Sequence, residues 1–200
     1  MLMRDGDWLR YNAGFGDGSK DNGFKSVGKN VRIHCMSVIP NPENISIGDH
    51  VRIDAFTVLS AKEITIGSFV HIAAHAVMSG PEKVVFGDFS AMSHGAKIFT
   101  ATDNLWVPGL TNSTVPDELH PLITGPVVIE PHAIVGAGSV VMPGVKMGMA
   151  SVLGALSLLK QSCLPYSIVA GVPARFIRER VKGIDGEALE ELERRCRDSQ

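Results

Sequence analysis

Large apolar side chains recur along this chain every six positions, and a glycine or another small or polar residue usually follows each one. Neither the 3.6-residue period of a helix nor the two-residue alternation of a strand accounts for this spacing. Three hexads give enough chain for one triangular coil of a solenoid. The pattern occupies Val27, Ile33, Ile47, Ile53, Ile66, Ile72 and Phe86, and it resumes at Ile129, Val135, Met147 and Leu153.

The repeat predicts an all-β triangular prism in which each hexad supplies one short strand and one turn. The large apolar residue would point into the prism, and the glycine after it would permit the positive φ that tight corners often require. Gly28, Gly48, Gly67 and Gly87 are separated by twenty, nineteen and twenty residues, so coils gain one or two residues at corners. Because one coil buries little by itself, stability accumulates through contacts between neighbouring coils.

The repeat ends in the segment Pro165–Arg175. Together the repeat and this closing segment resemble the hexapeptide-repeat acyltransferases, over roughly residues 27–175. The resemblance implies a left-handed parallel β-helix, transfer from acyl-CoA, and a homotrimer with active sites between subunits. It points to the sugar O- and N-acetyltransferase branch. There the donor is acetyl-CoA, and the acceptor is a nucleotide-linked or glycan sugar in the synthesis of surface polysaccharides such as lipopolysaccharide.

Three regions follow from the extent of the repeat. Residues 1–26 precede it and would cap the open end of the prism, which otherwise exposes strand edges and core. Residues 27–175 form the predicted β-helix, interrupted by residues 104–126, which break the pattern and carry four prolines. An irregular loop of that length is usually functional or disordered. Residues 176–200 predict a tail with a short α-helix, for which Asp185 is a suitable N-cap.

Charge and cysteine content narrow the function classes. The 200 residues carry a formal net charge of −2 without any run of lysine or arginine, which disfavours binding to nucleic acid or to an anionic membrane surface. Three scattered cysteines indicate neither a disulfide framework nor a zinc cluster. The chain starts without an apolar leader and lacks the roughly 20-residue apolar run of a membrane span. We therefore expect a cytoplasmic protein.

The chain enters the inserted loop at Asp103 and Asn104. In the family that the repeat resembles, a histidine near this place is the general base for an acceptor hydroxyl, whereas here the matching residue is Asp103. An amine with a pKa of about 8 is already partly neutral and needs a weaker base than a hydroxyl. Asp103 is therefore a candidate base, and Asn104 and Trp106 are candidates for acceptor binding. Alternatively, Asp103 only caps a turn.

Two histidines, His75 and His94, lie nineteen residues apart at equivalent repeat positions, so they would stack on one side of the prism. Histidine is the natural proton acceptor near neutral pH. His94 is therefore the second candidate base, and His75 is a candidate for acceptor binding. Either residue could instead be a surface or subunit contact.

Small residues one coil apart could line a groove for coenzyme A, because a thin pantetheine arm needs small side chains and accessible backbone groups. Small residues are also what the corners of a prism require, so the resemblance is what favours a groove. Cations near the end of the repeat could contact the phosphates of the coenzyme, or they are solvated surface charges. The candidate groove residues are Gly138, Ser139, Ala155 and Ser157, and the candidate phosphate contacts are Lys160, Arg175 and Arg178.

The leading prediction is an acetyltransferase that moves an acetyl group from acetyl-CoA to a hydroxyl or amino group of a sugar and needs no metal. A β-helical carbonic anhydrase is a second possibility, because His71, His75 and His94 could form a three-histidine zinc site. The spacing of His71 and His75 does not match the pair associated with that family. A non-catalytic structural β-helix is the third, although it would need neither the long loop nor the groove.

Overall fold

Stacked short strands form most of the computed structural model, which describes residues 8–11, 23–183 and 186–198. The strands in chain order are β1 Trp8–Tyr11, β2 Ser26–Val27, β3 Val31–His34, β4 Ile45–Ile47, β5 Arg52–Ile53, β6 Val58–Ile66, β7 His71–Ile72, β8 Val77–Phe86, β9 Ala91–Met92, β10 Lys97–Phe99, β11 Ala101–Asp103, β12 Leu122–Thr124, β13 Val127–Ile129, β14 Ile134–Val135, β15 Val140–Val141, β16 Lys146–Met147, β17 Val152–Leu153, β18 Leu158–Leu159, β19 Ser167–Gly171 and β20 Ala174–Glu179. Two 3-10 helices, Pro42–Asn44 and Asp117–Leu119, and one α-helix, α1 Glu187–Asp198, complete the described elements.

The strands form three faces of a prism. The first face is the sheet β1-β3-β5-β7-β9-β14-β17-β19-β20, parallel except where β1 and β20 add at its two ends. The other two faces share one sheet, because β6 and β8 are long enough to turn a corner. On the second face β8 pairs with β10, and on the third face it pairs with β13. This arrangement confirms the predicted β-helix with a projecting loop and a short helix near the C-terminus.

The hexad positions form the core, as predicted. All eleven large apolar residues of the repeat are at most 3% exposed, and on the first face Ile33, Ile53 and Ile72 stack in consecutive coils. Full burial of one such side chain contributes about 1.5–3 kcal/mol. The core is therefore a continuous aliphatic column along the axis of the prism.

The repeat glycines serve a different purpose from the one expected. The corner residues with positive φ come two positions later, at His50 (57°) and Phe69 (58°), while Gly48 and Gly67 are not among the residues with positive φ. A Cβ built on Gly48 would lie 2.7 Å from the carbonyl carbon of Gly67 in the next coil. The prediction that these glycines supply positive φ is wrong. Glycine is required at these positions because the backbone of the neighbouring coil lies too close to leave space for a side chain.

The two ends of the prism differ from its middle. β1 pairs antiparallel with β3, and β20 runs antiparallel to β19 and extends the first face beyond residue 175. Most of residues 1–26 and the predicted N-cap Asp185 lie outside the described residues. The division at residues 26 and 175 stays a prediction. Within the described part of the chain, no helix has the length and apolar character to span a membrane.

Candidate functional site

An arm, defined here as residues 101–124, leaves the corner between the second and third faces. Its strands β11 and β12 pair antiparallel, with Asp103 opposite Leu122. The preceding residue, Thr100, is fully buried, and its Oγ1 accepts a hydrogen bond from the backbone N–H of Glu82 at 3.0 Å. The backbone N–H of Gly125 donates to the carbonyl of Thr100 at 3.0 Å. Thr100 thus fixes the first strand of the arm to the prism and also holds the chain that follows the second strand.

At the end of the stem, the arm places a histidine against the candidate base. Nε2 of His120 lies 2.6 Å from Oδ1 of Asp103. The side chain of His120 is 8% exposed, whereas that of Asp103 is 41% exposed. The backbone N–H of Asn104 also donates to the carbonyl of Pro121 at 2.9 Å, which closes the stem beside this pair. The exposed member of the pair is therefore the carboxylate.

Sequence reasoning missed His120. The residue follows the 3-10 helix Asp117–Leu119, and its backbone N–H donates to the carbonyl of Asp117 at 3.1 Å. No repeat position or spacing points to it. One signal was present, because His120 is the only histidine between residues 104 and 126. It is therefore the one imidazole in the loop, and imidazole is a common hydrogen-bond partner of carboxylates at functional sites.

The other predicted residues of the loop lie next to Asp103. Oδ1 of Asn104 accepts a hydrogen bond from the backbone N–H of Trp106 at 3.1 Å, so this side chain holds the turn. The indole of Trp106 is 88% exposed. Their predicted role in acceptor binding remains a prediction, with the Trp106 ring available to a planar ligand.

His75 and His94 lie at a different corner, between the first and second faces. His75 has a φ of 62° and stacks on Phe56 with ring centroids 5.1 Å apart. His94 is exposed in the next coil, where the register places Gly95 and not His94 level with His75, so the prediction that the two histidines stack is wrong. Strand β10, three residues or roughly 10 Å long, separates His94 from Asp103. A single chain does not bring the two candidate bases together.

The three histidines of the zinc alternative do not converge either. His71 points outward from the first face, where its Nε2 donates to Oδ2 of Asp54 at 2.8 Å. Among the described residues, no group of three or more histidine, cysteine, aspartate or glutamate side chains could hold a metal ion. Within this chain the histidines therefore have separate surroundings.

The predicted groove residues divide into two pairs. Gly138 has a φ of 66° at the corner that also holds His75, and Ala155 is exposed one coil further on. Ser139 and Ser157 are buried instead. The hydroxyl of Ser139 donates to the carbonyl of Gly154 at 2.7 Å, and the hydroxyl of Ser157 accepts from the N–H of Gly171 at 2.9 Å. Only Gly138 and Ala155 present atoms to a ligand on the surface.

The predicted phosphate contacts lie at the C-terminal end of the prism. Lys160 and Arg175 line the same cavity of about 140 Å³, together with Pro173. Arg178 is exposed on β20, opposite Ile168 of β19. The structure therefore brings Lys160 and Arg175 together.

Similar proteins are found among curated sequences and solved structures, although no family model matches the chain. The dTDP-4-amino-4,6-dideoxy-D-glucose acyltransferase of Escherichia coli is 38% identical over 165 residues, which cover 82% of this chain and 86% of that protein. The N-acyltransferase AntD of Bacillus cereus, in complex with dTDP and 3-hydroxybutyryl-CoA, superimposes with a TM-score of 0.80 at 36% identity. That match covers 94% of this chain and 98% of AntD.

Further AntD structures show what that protein binds. A serine variant was solved with dTDP-4-amino-4,6-dideoxyglucose and coenzyme A, with a TM-score of 0.80 at 36% identity over 94% of this chain and 99% of that one. Other variants replace an aspartate ten positions after that serine. AntD therefore accommodates coenzyme A together with a nucleotide-linked amino sugar.

Proposed function

The chain belongs to the hexapeptide-repeat sugar acyltransferases, and from that premise we propose that it acylates the amino group of a dTDP-linked 4-amino-4,6-dideoxy sugar. It is an acyl-CoA-dependent acyltransferase, like the relatives that cover most of its length. The observation that favours an amine over a hydroxyl as the acceptor group is the carboxylate of Asp103. It stands half-exposed where a hydroxyl-acylating relative would carry a histidine base.

The reaction needs one proton acceptor. The amine nitrogen attacks the thioester carbonyl carbon, a C–N bond forms, and the C–S bond breaks to release coenzyme A. Asp103 accepts the proton that nitrogen loses, and the departing thiolate then takes it up. An amine that is already partly neutral requires only this weak base. His94 is the alternative base, and its greater basicity would suit a hydroxyl acceptor.

We place the active site between subunits of a homotrimer. The spacing of the AntD serine and aspartate is also the spacing of Ser93 and Asp103 here. In one chain these two residues lie at opposite ends of β10. An arm that reaches a neighbouring prism would bring the Asp103 of one subunit to the Ser93 and His94 of the next. His75, Asn104 and Trp106 would then contact the acceptor.

Coenzyme A would lie along the corner of Gly138 and Ala155. Gly138 exposes backbone where Phe56 and His75 place rings in the earlier coils, and Ala155 exposes a methyl group in the following coil. Ser139 and Ser157 would support the groove from inside the prism without contacting the coenzyme, because both their hydroxyls and their backbone groups are bonded there. The cavity shared by Lys160 and Arg175 suits the phosphates, and the exposed Arg178 on β20 is the third proposed contact.

Acetyl-CoA is the proposed donor, without a metal. A nucleotide sugar would be acylated before its sugar is transferred to a surface polysaccharide such as lipopolysaccharide. Such a reaction belongs in the cytoplasm, where activated sugars are made. The kinship with N-acyltransferases favours this function over a carbonic anhydrase or a structural β-helix.

A thiol-release assay tests the proposal. We expect coenzyme A release with dTDP-4-amino-4,6-dideoxyglucose, slower or no release with the matching 4-hydroxy sugar, and no effect of EDTA. Acetyl-CoA and 3-hydroxybutyryl-CoA are compared as donors. Asp103→Asn should lower kcat by about 10²–10⁴-fold at unchanged coenzyme A affinity, with His94→Ala as the matched variant. Equal rates with the hydroxy sugar and the amino sugar would overturn the preference for an amine. A loss of kcat confined to His94→Ala would overturn Asp103 as the base.

A further inference from the structure

The two members of the Asp103–His120 pair face different surroundings. A histidine beside a carboxylate is often read as a base that the carboxylate orients. Here the exposures reverse those roles, because the His120 ring is 8% exposed and the carboxylate is 41% exposed. A ligand at the stem of the arm can meet the carboxylate much more readily than the imidazole. His120 lies behind Asp103.

The contact leaves one carboxylate oxygen for a ligand. Nε2 of His120 lies 2.6 Å from Oδ1 of Asp103, and an ionised carboxylate can only accept, so Nε2 carries the proton. No hydrogen bond to Oδ2 of Asp103 occurs within the described residues. A donor fixed to one oxygen limits rotation of the carboxyl group and presents the other oxygen outward.

The backbone holds His120 in place for this contact. The hydrogen bond from its own N–H to Asp117, and the one from Asn104 to Pro121, fix the chain on either side of the ring. The register of β11 and β12 sets Asp103 opposite Leu122, two residues after His120. The pair therefore links the two sides of the arm at the end of the stem that β11 and β12 form.

We propose that His120 is a positioning residue, which holds Oδ1 of Asp103 so that Oδ2 accepts the proton of the acceptor amine. The inference rests on the proposed function, since it assigns His120 a role only through Asp103. His120 need not touch the acceptor or the thioester. Partners of this kind typically change activity by 10–100-fold when removed, as seen for groups that orient metal ligands.

The test is a double-mutant cycle with the thiol-release assay on the dTDP-amino sugar. His120→Phe keeps the ring but removes the donor, and we expect kcat to fall by about 10–10²-fold with the KM for acyl-CoA unchanged. His120→Gln retains an N–H donor near the position of Nε2 and should recover most of that loss. In the Asp103→Asn background, His120→Phe should cause no further decrease.

The matched control is His132→Phe, which exchanges a histidine that stacks on Phe89 with centroids 5.0 Å apart, at a corner remote from the arm. Its kcat should equal that of the wild type. Near-native kcat in His120→Phe, or an equal further loss in the Asp103→Asn background, would overturn the positioning role. Full activity in Asp103→Asn alone would instead overturn the proposed base. If His120→Phe does not fold, His120→Leu, which also lacks a donor, replaces it in the same cycle and in the comparison with His120→Gln.

Discussion

Asp54 sits on the first face with its side chain 7% exposed, between two basic side chains. Nε of Arg52 donates to Oδ1 at 2.6 Å, and Nε2 of His71 donates to Oδ2 at 2.8 Å. Burial raises the pKa of Asp54, but the hydrogen bonds from His71 and Arg52 lower it by more, so that the pKa lies below its ordinary value of 3.8. The folded state thus favours the ionised carboxylate.

This direction sets the pH dependence of one contribution to stability. Because the folded pKa is below the unfolded one, Asp54 stabilises the fold fully above about pH 3.8, and that contribution is lost as the pH falls through the folded pKa. Asp54→Asn should therefore lower the free energy of unfolding at pH 6. The difference from wild type should shrink below about pH 3.8.

Urea unfolding at pH 6, 4 and 3 measures that difference. Asp117→Asn, which changes an exposed carboxylate of the arm, is the control and should match wild type at each pH. A difference between Asp54→Asn and wild type that stays constant down to pH 3 would contradict the assignment.

At the scale of elements, consecutive coils differ in what they place at one corner. Phe56, His75, Gly95, Gly138 and Leu156 follow one another there, all with positive φ. A Cβ on Gly95 would meet nothing within 4 Å, whereas one on Gly138 would lie 2.8 Å from Cδ2 of Leu156, so the gap in this ridge of bulky residues is at Gly95. The gap lies on the proposed path of the pantetheine arm.

A bulky side chain further along the same corner should block the coenzyme without unfolding the prism. Ala155→Phe is the suitable change, because Ala155 is exposed, whereas a Cβ on the adjacent Gly154 would lie 2.8 Å from Cβ of Ala170. We expect coenzyme A affinity to fall by at least about 10-fold, equivalent to about 1.4 kcal/mol, with little change in the unfolding free energy. Calorimetry measures the affinity.

Lys29→Phe, at an exposed corner of the first coil, is the control for adding a large ring. It should leave coenzyme A binding unchanged. Unaltered affinity in a folded Ala155→Phe would move the groove to another edge of the prism.

At the scale of the whole molecule, the arm exposes several large apolar side chains, and contiguous apolar patches of this kind mark interaction surfaces. Leu105 is 74% exposed, and Trp106, Val107, Leu110 and Leu119 are exposed around it. A second copy of the chain would cover this surface and complete the proposed site at the same time. One contact would thus serve both assembly and catalysis.

We therefore expect a homotrimer with about three times the 21.4 kDa chain mass in light scattering at micromolar concentration. Replacing Leu105 and Trp106 by serine should shift the mass towards the single chain, because burial of that apolar surface drives association. Activity should fall with it. Met36→Ser, at an exposed apolar residue outside the arm, should remain trimeric. A wild-type protein with the mass of one chain would contradict both the trimer and the shared site.

The sequence by itself determined the prism and where it is interrupted. Burial is periodic in a solenoid, so the hexad positions of Ile33, Ile53 and Ile72 predicted the core directly. The interruption of that period located Asp103, because a residue at the entrance to an inserted loop can be counted from the repeat. Composition also limited the function classes, since net charge and cysteine spacing are properties of the chain and not of its folding.

Only the tertiary structure decided which contacts are made by residues that do not follow the six-residue repeat. His120 reaches Asp103 through the register of an antiparallel stem, and the sixteen residues between them carry no repeat spacing that predicts such a contact. The inward direction of Ser139 and the close approach of Gly48 to Gly67 likewise depend on how coils stack. A local pattern records which face a residue occupies. Contacts between coils, and between the arm and the prism, are fixed by the three-dimensional path of the backbone.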